Sequence, residues 1–312
     1  MSDLADGFEQ HRGHLESVAY RMLGSRAEAE DAVQEAWLRY AGADRSAIRD
    51  TRGWLTTTTA RICLDVLRSA RVRREAYVGS WLPEPIVSRL PGPGGLDSFA
   101  PDPADRATRT DELSYALLVI MEKLTPEQRV AFVLHDVFAV PFDAIAAVLS
   151  TTDAAARQLA SRARRAVGAD SGPPRRDLAA QAPVVKAFLA AAQSGDIDGL
   201  LTVLAPDAVV VGDGGGVAPV TKHPVEGALQ AARFVAGLFR RTAKETEHIL
   251  VEPVLLNGDL GLLVELTLPS GEQQRLTIGF AYAGGRIGAV FNQVNPAKVA
   301  ALPPVDPDRA LR

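Results

Sequence analysis

The sequence predicts a multidomain chain of two all-α modules followed by an α+β unit, and three observations carry that expectation. Phe8 to Ala70 and Leu124 to Val167 place apolar residues at helical spacing behind capping patterns. The last third puts its helices first and then four strand-like runs joined by hairpin turns. A segment crowded with proline and glycine separates the two helical stretches. The 312 residues suit two or three domains, and 47% hydrophobic residues supply each with a core. The expected division is a first helical module over 1–75, a linker over 76–111, a second helical module over 112–170 and a short linker over 171–178. The α+β unit then covers 179–300, with a tail over 301–312.

In the first module Gly24-Ser25 and Gly42-Ala43 are breaks, and Ser25-Arg26-Ala27-Glu28 is a capping-box pattern. The helix it opens buries Val33, Ala36, Trp37 and Tyr40. Its opposite face carries Asp31, Gln34, Glu35 and Leu38, an acidic surface with one apolar residue. Acid repels phosphate, so this face fits a basic protein partner if it is more than a solvated helix face. A third helix opens at Trp54-Leu55 and runs to Arg74. Thr56 to Thr59 are poor helix formers because of their branched side chains, so burial or hydroxyl hydrogen bonding must compensate. On a surface Thr57 and Thr58 would donate to a DNA backbone or an unstacked base. Trp54, Arg61, Asp65, Arg68 and Arg71 combine an aromatic platform with cations, the composition expected for single-stranded nucleic acid. A core tryptophan is an equally good reading of Trp54 taken alone.

The linker has Pro83, Pro85, Pro91, Pro93, Pro101 and Pro103, which favour extension over packing. Trp81-Leu82-Pro83-Glu84-Pro85 nevertheless puts two large apolar side chains where a spacer needs none. It reads as a docking element for the last unit.

In the second module Thr125-Pro126-Glu127-Gln128 starts a helix over Gln128 to Val137. Val140-Pro141-Phe142 breaks it, Ile145, Ala146, Val148 and Leu149 mark a short second helix, and Thr152 caps a third. Ala156, Leu159, Ala160, Ala163 and Val167 turn inward, leaving Arg157, Gln158, Ser161, Arg162 and Arg165 outside. That is a helix-turn-helix, whose last helix fits the major groove. The competing reading, a solvated basic face, explains neither the turn nor the caps.

In the last unit Val184, Val185, Phe188 and Leu189 mark one helix, Ile197 to Leu204 a second and about Val225 to Arg240 a third. Strands are expected over Ala208 to Val211, His248 to Leu256, Gly261 to Leu268, Arg275 to Tyr282 and Ile287 to Asn292.

The net charge of −4 excludes a protein that simply coats nucleic acid, so its basic residues must act by location. Cys63 is the single cysteine, which rules out an intrachain disulfide or multi-cysteine metal site and fits a reducing cytoplasm. No signal peptide or membrane-spanning run is evident, so no membrane association is expected.

Asp31-Ala32-Val33-Gln34-Glu35-Ala36-Trp37, Arg52-Gly53-Trp54-Leu55 with Arg61, Leu64, Asp65 and Leu67-Arg68, and Leu124 to Arg129 through Ala163-Arg164 occur in one order. Together they resemble the bacterial extracytoplasmic-function, or group four, sigma factors, over Phe8 to Val167. The resemblance implies that region two binds core RNA polymerase through Asp31, Gln34, Glu35 and Leu38. Trp54, Thr57, Thr58, Arg61, Asp65, Arg68 and Arg71 would then open and read the minus-ten element. Region four would read the minus-thirty-five element through Arg157, Gln158, Ser161, Arg162 and Arg165.

Trp81 to Pro85, the turn Asp213-Gly214-Gly215-Gly216, and Asn295-Pro296-Ala297-Lys298 look like the subgroup with a fused SnoaL-like (NTF2-like) domain of cone shape, the sigma J type. Val217 stands where that subgroup usually has lysine, and Ala297 where it has aspartate. The resemblance implies regulation in cis through these motifs, promoter DNA and core polymerase as partners, no separate anti-sigma factor and no cofactor. Because related scaffolds serve isomerases and cyclases, a small-molecule ligand or a cryptic enzyme is the alternative for the last unit. Asp207, Asp213, His223, Glu226 and His248 are acid-base candidates by type only. An ordinary helix-turn-helix repressor would explain Leu124 to Val167 but neither the acidic face nor the Trp54 helix.

Overall fold

The computed structural model describes residues 2–75, 77, 79–90, 96, 113–168 and 178–311. The chain forms two units, one of Met1–Ala76 with Leu117–Pro174 and one of Tyr77–Ala116 with Arg175–Arg312. The linker therefore groups with the C-terminal unit and is not a separate spacer.

In the first unit α1 (Ser2–Leu23), α2 (Arg26–Ala41) and α3 (Thr51–Glu75) pack together, burying Phe8, Leu15, Val18, Met22, Val33, Ala36, Leu55 and Ile62. Ser25 caps α2 by accepting from the Glu28 amide. The aromatic rings of Phe8 and Trp37 meet edge to face at 5.1 Å, and Tyr40 lies 5.9 Å from Trp54.

A short helix, α4 (Tyr115–Met121), leads into the second helical module. There α5 (Pro126–Phe132) begins in a complete Thr125–Gln128 capping box. The expected helix to Val137 is present, but Val133–Val137 is wound as a wider π turn. After it Ala139 takes φ 53° and the chain turns into α6 (Phe142–Leu149). Ser150 at φ 53° ends α6 in the left-handed region, and Thr152 caps α7 (Asp153–Ala166). Ala156, Ala160 and Ala163 are the buried stripe of α7, with Leu159 and Val167 half-buried beside them.

The second unit is α+β. Helices α8 (Leu178–Ser194), α9 (Ile197–Val203) and α10 (Ala228–Glu245) accompany a sheet of seven described strands. The strands are β1 (Val87–Arg89), β2 (Leu204–Asp213), β3 (Val225–Glu226), β4 (His248–Leu256), β5 (Asp259–Thr267), β6 (Gln273–Ala283) and β7 (Arg286–Gln293). Their order is β1-β4-β5-β6-β7-β2-β3, with β2 and β7 parallel and every other pair antiparallel. The helices contribute Val185, Phe188, Ala231 and Val235 to a core with Leu260, Leu262, Ile278, Phe280 and Val290. A second cluster forms where Leu302 and Val305 of the tail cover Val254, Leu256 and Leu263. A short helix, α11 (Pro296–Val299), follows the sheet.

Two expectations need correction. Val225, expected to start a helix, starts strand β3, because Gly227 at φ 88° turns the chain before α10 begins. The linker, expected to favour extension over packing outside its docking element, supplies strand β1, which pairs with β4 in the register Val87↔Leu256 to Arg89↔Val254. The β4–β5 hairpin closes on Asn257 and Gly258, at φ 50° and 80°, the signs that a type I′ turn requires.

Candidate functional site

On α2, Asp31 and Gln34 are exposed, and Leu38 stands 59% exposed among them. Glu35 pairs with Arg39 one turn on at 3.0 Å. The helix face is thus acidic around a large apolar side chain that its own fold leaves in water.

On α3, Trp54 is half-buried, and the Thr57 hydroxyl donates to the Trp54 carbonyl at 2.9 Å. Thr58 is a correction: at 7% exposure it lies inside with Thr56 and Thr59, so the burial that compensates its poor helix propensity also removes it from the surface. Arg61, Asp65 and Arg68 are exposed, whereas the Arg71 side chain lies outside the described residues. Within the same unit Arg61 Nη2 donates to the Ala147 carbonyl at 3.0 Å, and Arg68 pairs with Glu127 at 3.1 Å. Phe138, carried by the π turn, meets His14 edge to face at 5.3 Å and the Arg21 guanidinium at 4.9 Å. The two helical modules are closed on each other, with two of the expected DNA-reading cations used in the closure.

On α7, Arg157, Gln158, Ser161, Arg162 and Arg165 are all exposed. Arg164 is held by Asp136 at 2.8 Å. Arg162→Ala should reduce discrimination between promoter and scrambled DNA rather than affinity for both. Footprinting that shows equal losses on the two DNAs would reduce Arg162 to a phosphate contact.

The sequence motifs of the second unit converge on Asp213 at the end of β2. Its side chain is 0% exposed and accepts from the Leu82 amide at 2.9 Å, the Tyr77 hydroxyl at 2.5 Å and the Gly215 amide at 3.0 Å. Lys298 of α11 completes the cage with an ion pair at 2.7 Å, while also donating to the Leu82 carbonyl and lying 3.9 Å from the centre of the Trp81 ring. Gln293 donates to the Leu82 and Pro83 carbonyls at 3.3 and 3.2 Å, and Asn295 to the Tyr77 hydroxyl at 2.9 Å. Leu82 is fully buried, Pro83 and Pro85 are buried, and Trp81 and Glu84 are partly so.

The glycines have steric reasons to be there. A Cβ on Gly214 would sit 2.2 Å from the Ala218 carbonyl oxygen, and one on Gly215, at φ 67°, 2.6 Å from Asn295 Oδ1. Asn295 caps α11 ahead of Pro296 by accepting from the Ala297 amide. Val217, by contrast, is 82% exposed.

Tyr77, Gln293 and Tyr115 are members of this site that the sequence did not disclose. Tyr115 donates to the Pro83 carbonyl at 2.8 Å and stacks edge to face on Phe291. Gln293, two residues before the Asn295-Pro296 motif, was the nearest to legible, since alternation along β7 puts it on the Phe291 face.

Burial raises the Asp213 pKa, but the charge of Lys298 and the hydrogen bonds from Leu82, Lys298 and Tyr77 outweigh it, so the carboxyl lies below its ordinary value. Burial, then the bond to Asp213, pushes the Tyr77 phenol up. A carboxylate depressed on docking contributes stability above its undocked pKa, near 3.9, and loses it as pH falls through the lower docked value. Linker docking should therefore be flat from about pH 8 to 5, a window clear of both values. Fluorescence of Trp81 with Trp37 and Trp54 replaced by Phe reads this. A transition inside the window would show that another group controls docking.

Of the acid-base candidates, Asp213 is spent on the linker, and Asp207, His223, Glu226 and His248 are exposed. Among the described residues no group of three His, Cys, Asp or Glu is placed to hold a metal ion, and no helix is long and apolar enough to cross a membrane.

Comparison with known proteins bears on both units. The Sigma-70 region 2 profile matches residues 8–73, and the Sigma-70 region 4 profile matches residues 114–167. The ECF RNA polymerase sigma factor SigJ of Mycobacterium tuberculosis is 43% identical over 304 residues, which is 95% of this chain and 93% of that protein. The probable ECF sigma factor SigI of the same species is 41% identical over 196 residues, 63% of this chain and 65% of its own. The crystal structure of M. tuberculosis SigJ superposes with a TM-score of 0.71 at 39% identity, covering 95% of this chain and 98% of that one.

Proposed function

The chain belongs to the extracytoplasmic-function RNA polymerase sigma factors, and from that premise we propose which surfaces perform the task and how the C-terminal domain governs them. A sigma factor binds core polymerase and directs it to promoter DNA, while bond formation is left to the polymerase. The acidic α2 face with Asp31, Gln34, Glu35 and Leu38 receives the core enzyme. Trp54, Thr57, Arg61, Asp65 and Arg68 on α3 engage the minus-ten element, and the exposed face of α7 reads the minus-thirty-five element. Arg61 and Arg68 reach the DNA only after leaving Ala147 and Glu127, so promoter binding opens the first unit.

The observation that carries regulation in cis is the Asp213 cage around Leu82. The linker is the covalent connection between the two helical modules, and the C-terminal domain grips it by main chain and side chain together. Docked and released linkers allow the modules different arrangements, of which polymerase needs one, so the domain biases activity by population shift. This needs no separate anti-sigma factor, no cofactor and no catalysis by the domain, and its place of action is the cytoplasm.

In vitro transcription with core enzyme tests it, comparing the full chain with Trp81→Ala/Leu82→Ala and with a chain ending after Val167. Burial of Leu82 alone is worth ~1.5–3 kcal/mol, so the double variant should shift the docking equilibrium by roughly ten- to a hundredfold. Transcript yield and protease cutting in the linker should change together. Unaltered yield and cutting would make the linker a passive tether.

A further inference from the structure

The segment between α5 and α7 contains a stacked pair of rings that none of the roles above uses. The Phe142 ring, at the first position of α6, lies face to face with the His135 imidazole, centroids 4.1 Å apart and planes 19° apart. The Arg157 guanidinium sits 5.1 Å from the centre of the same Phe142 ring. Phe142 is only half-buried, so it is not a principal core residue.

Arg157 and Arg164 are seven residues apart on α7 and share the flank that faces this pair. Their fates differ. Arg164 Nε bonds Asp136 at 2.8 Å and its Nη2 lies 3.2 Å from His135 Nδ1, so its charge is consumed inside the module. Arg157 is exposed and has no carboxylate partner among the described residues, and the aromatic face is what orients it. It also lies in the first turns of α7, where a recognition helix presents side chains to base edges.

We infer that Phe142 is a specificity-determining positioning residue: its ring holds the Arg157 guanidinium in the orientation that reads one base pair of the minus-thirty-five element. An arginine on a flexible stem reaches phosphates in many rotamers, and these carry no sequence information. Bidentate contact to a guanine edge requires one plane and one direction. A ring that supports the guanidinium from behind removes the alternatives before DNA arrives, so less rotamer freedom is lost on binding. His135 in turn keeps Phe142 from rotating away, and the Asp136–Arg164 pair fixes the turn that bears His135. The inference rests on the assignment of Arg157 to DNA reading made above.

The test uses the full-length chain in holoenzyme, selecting bound duplexes from DNA randomised across the upstream element and sequencing the pool. Arg157→Ala should erase the preference at one position. Phe142→Ala and Phe142→Leu should weaken the preference at that same position by about two- to fivefold, the range of an exposed cation–π contact. Phe142→Trp, which keeps the stacking face, should retain it. Melting curves for the four variants confirm folding, and Leu retains the apolar bulk if Ala does not fold. An unchanged profile for Phe142→Leu, or an even loss at every position, overturns the inference while leaving the role of Arg157 intact. No change with Arg157→Ala removes the recognition role itself and the inference with it.

Discussion

Asp213→Ala should release the linker from the C-terminal domain. The carboxylate is completely buried and holds Lys298 at 2.7 Å, so its removal takes a buried ion-pair partner from the ammonium. Deleting one partner of a buried pair costs about 3–5 kcal/mol, well above the worth of an exposed pair. The Leu82 amide, the Gly215 amide and the Tyr77 hydroxyl lose their acceptor in the same step. Hydrogen exchange of the Leu82 amide should accelerate by orders of magnitude, and protease should cut between Tyr77 and Leu90. Lys298→Met added to Asp213→Ala should recover part of the loss, because it removes the ammonium that Asp213 balances. If Asp213→Ala protects Leu82 as well as the parent does, the cage is not what holds the linker.

Glu35→Arg and Asp31→Arg should each abolish binding to core polymerase with the helical bundle intact. Both carboxylates lie on the solvent side of α2, opposite Val33 and Ala36, which are buried. The Glu35–Arg39 pair that the first variant breaks is an exposed one-turn pair, worth only ~0.3–0.5 kcal/mol to the fold. Against a basic partner surface, charge reversal costs several kcal/mol, a loss on the order of a hundredfold or more. Leu38→Glu probes the apolar centre of the same face. Circular dichroism and a polymerase pull-down decide the matter: normal binding by all three folded variants would dismiss α2 as the docking face.

The elements that local rules build were legible in the sequence. Thr125-Pro126-Glu127-Gln128 and Thr152 announce their helices because a cap and its helix lie within four residues, and Asn257-Gly258 announces its hairpin because the turn chemistry is itself local. What escaped depends on distant partners. Val87-Ser88-Arg89 is too short to show alternation, and becomes a strand by pairing with β4, next to an Ile86 that donates to Asn257 Oδ1 at 3.1 Å and accepts from the Asn257 amide. Tyr77 meets Asp213 across 136 residues of chain. Thr58 was misplaced although the signal existed, since Leu55, Thr58, Thr59 and Ile62 fall on one helical face and the apolar pair marks it as the inner one. The convergence of Trp81-Leu82 with Asp213 and Lys298 was readable as a need for burial, but its geometry was not.

The two anchor points of the linker set a condition on its length. Leu82 is fixed by Asp213 and Ile86 by Asn257, with Pro83, Glu84 and Pro85 between them. An extended chain advances about 3.3 Å per residue and reverses its facing at every step. Removing or adding one residue between the anchors would therefore shift the span by one step and also exchange inward for outward side chains in β1. The number of residues between the anchors is the fixed quantity. This stretch works as a gauge: within a loop that joins two modules, where insertions are ordinarily tolerated, natural variation should change composition while leaving the spacing of Leu82 to Ile86 untouched.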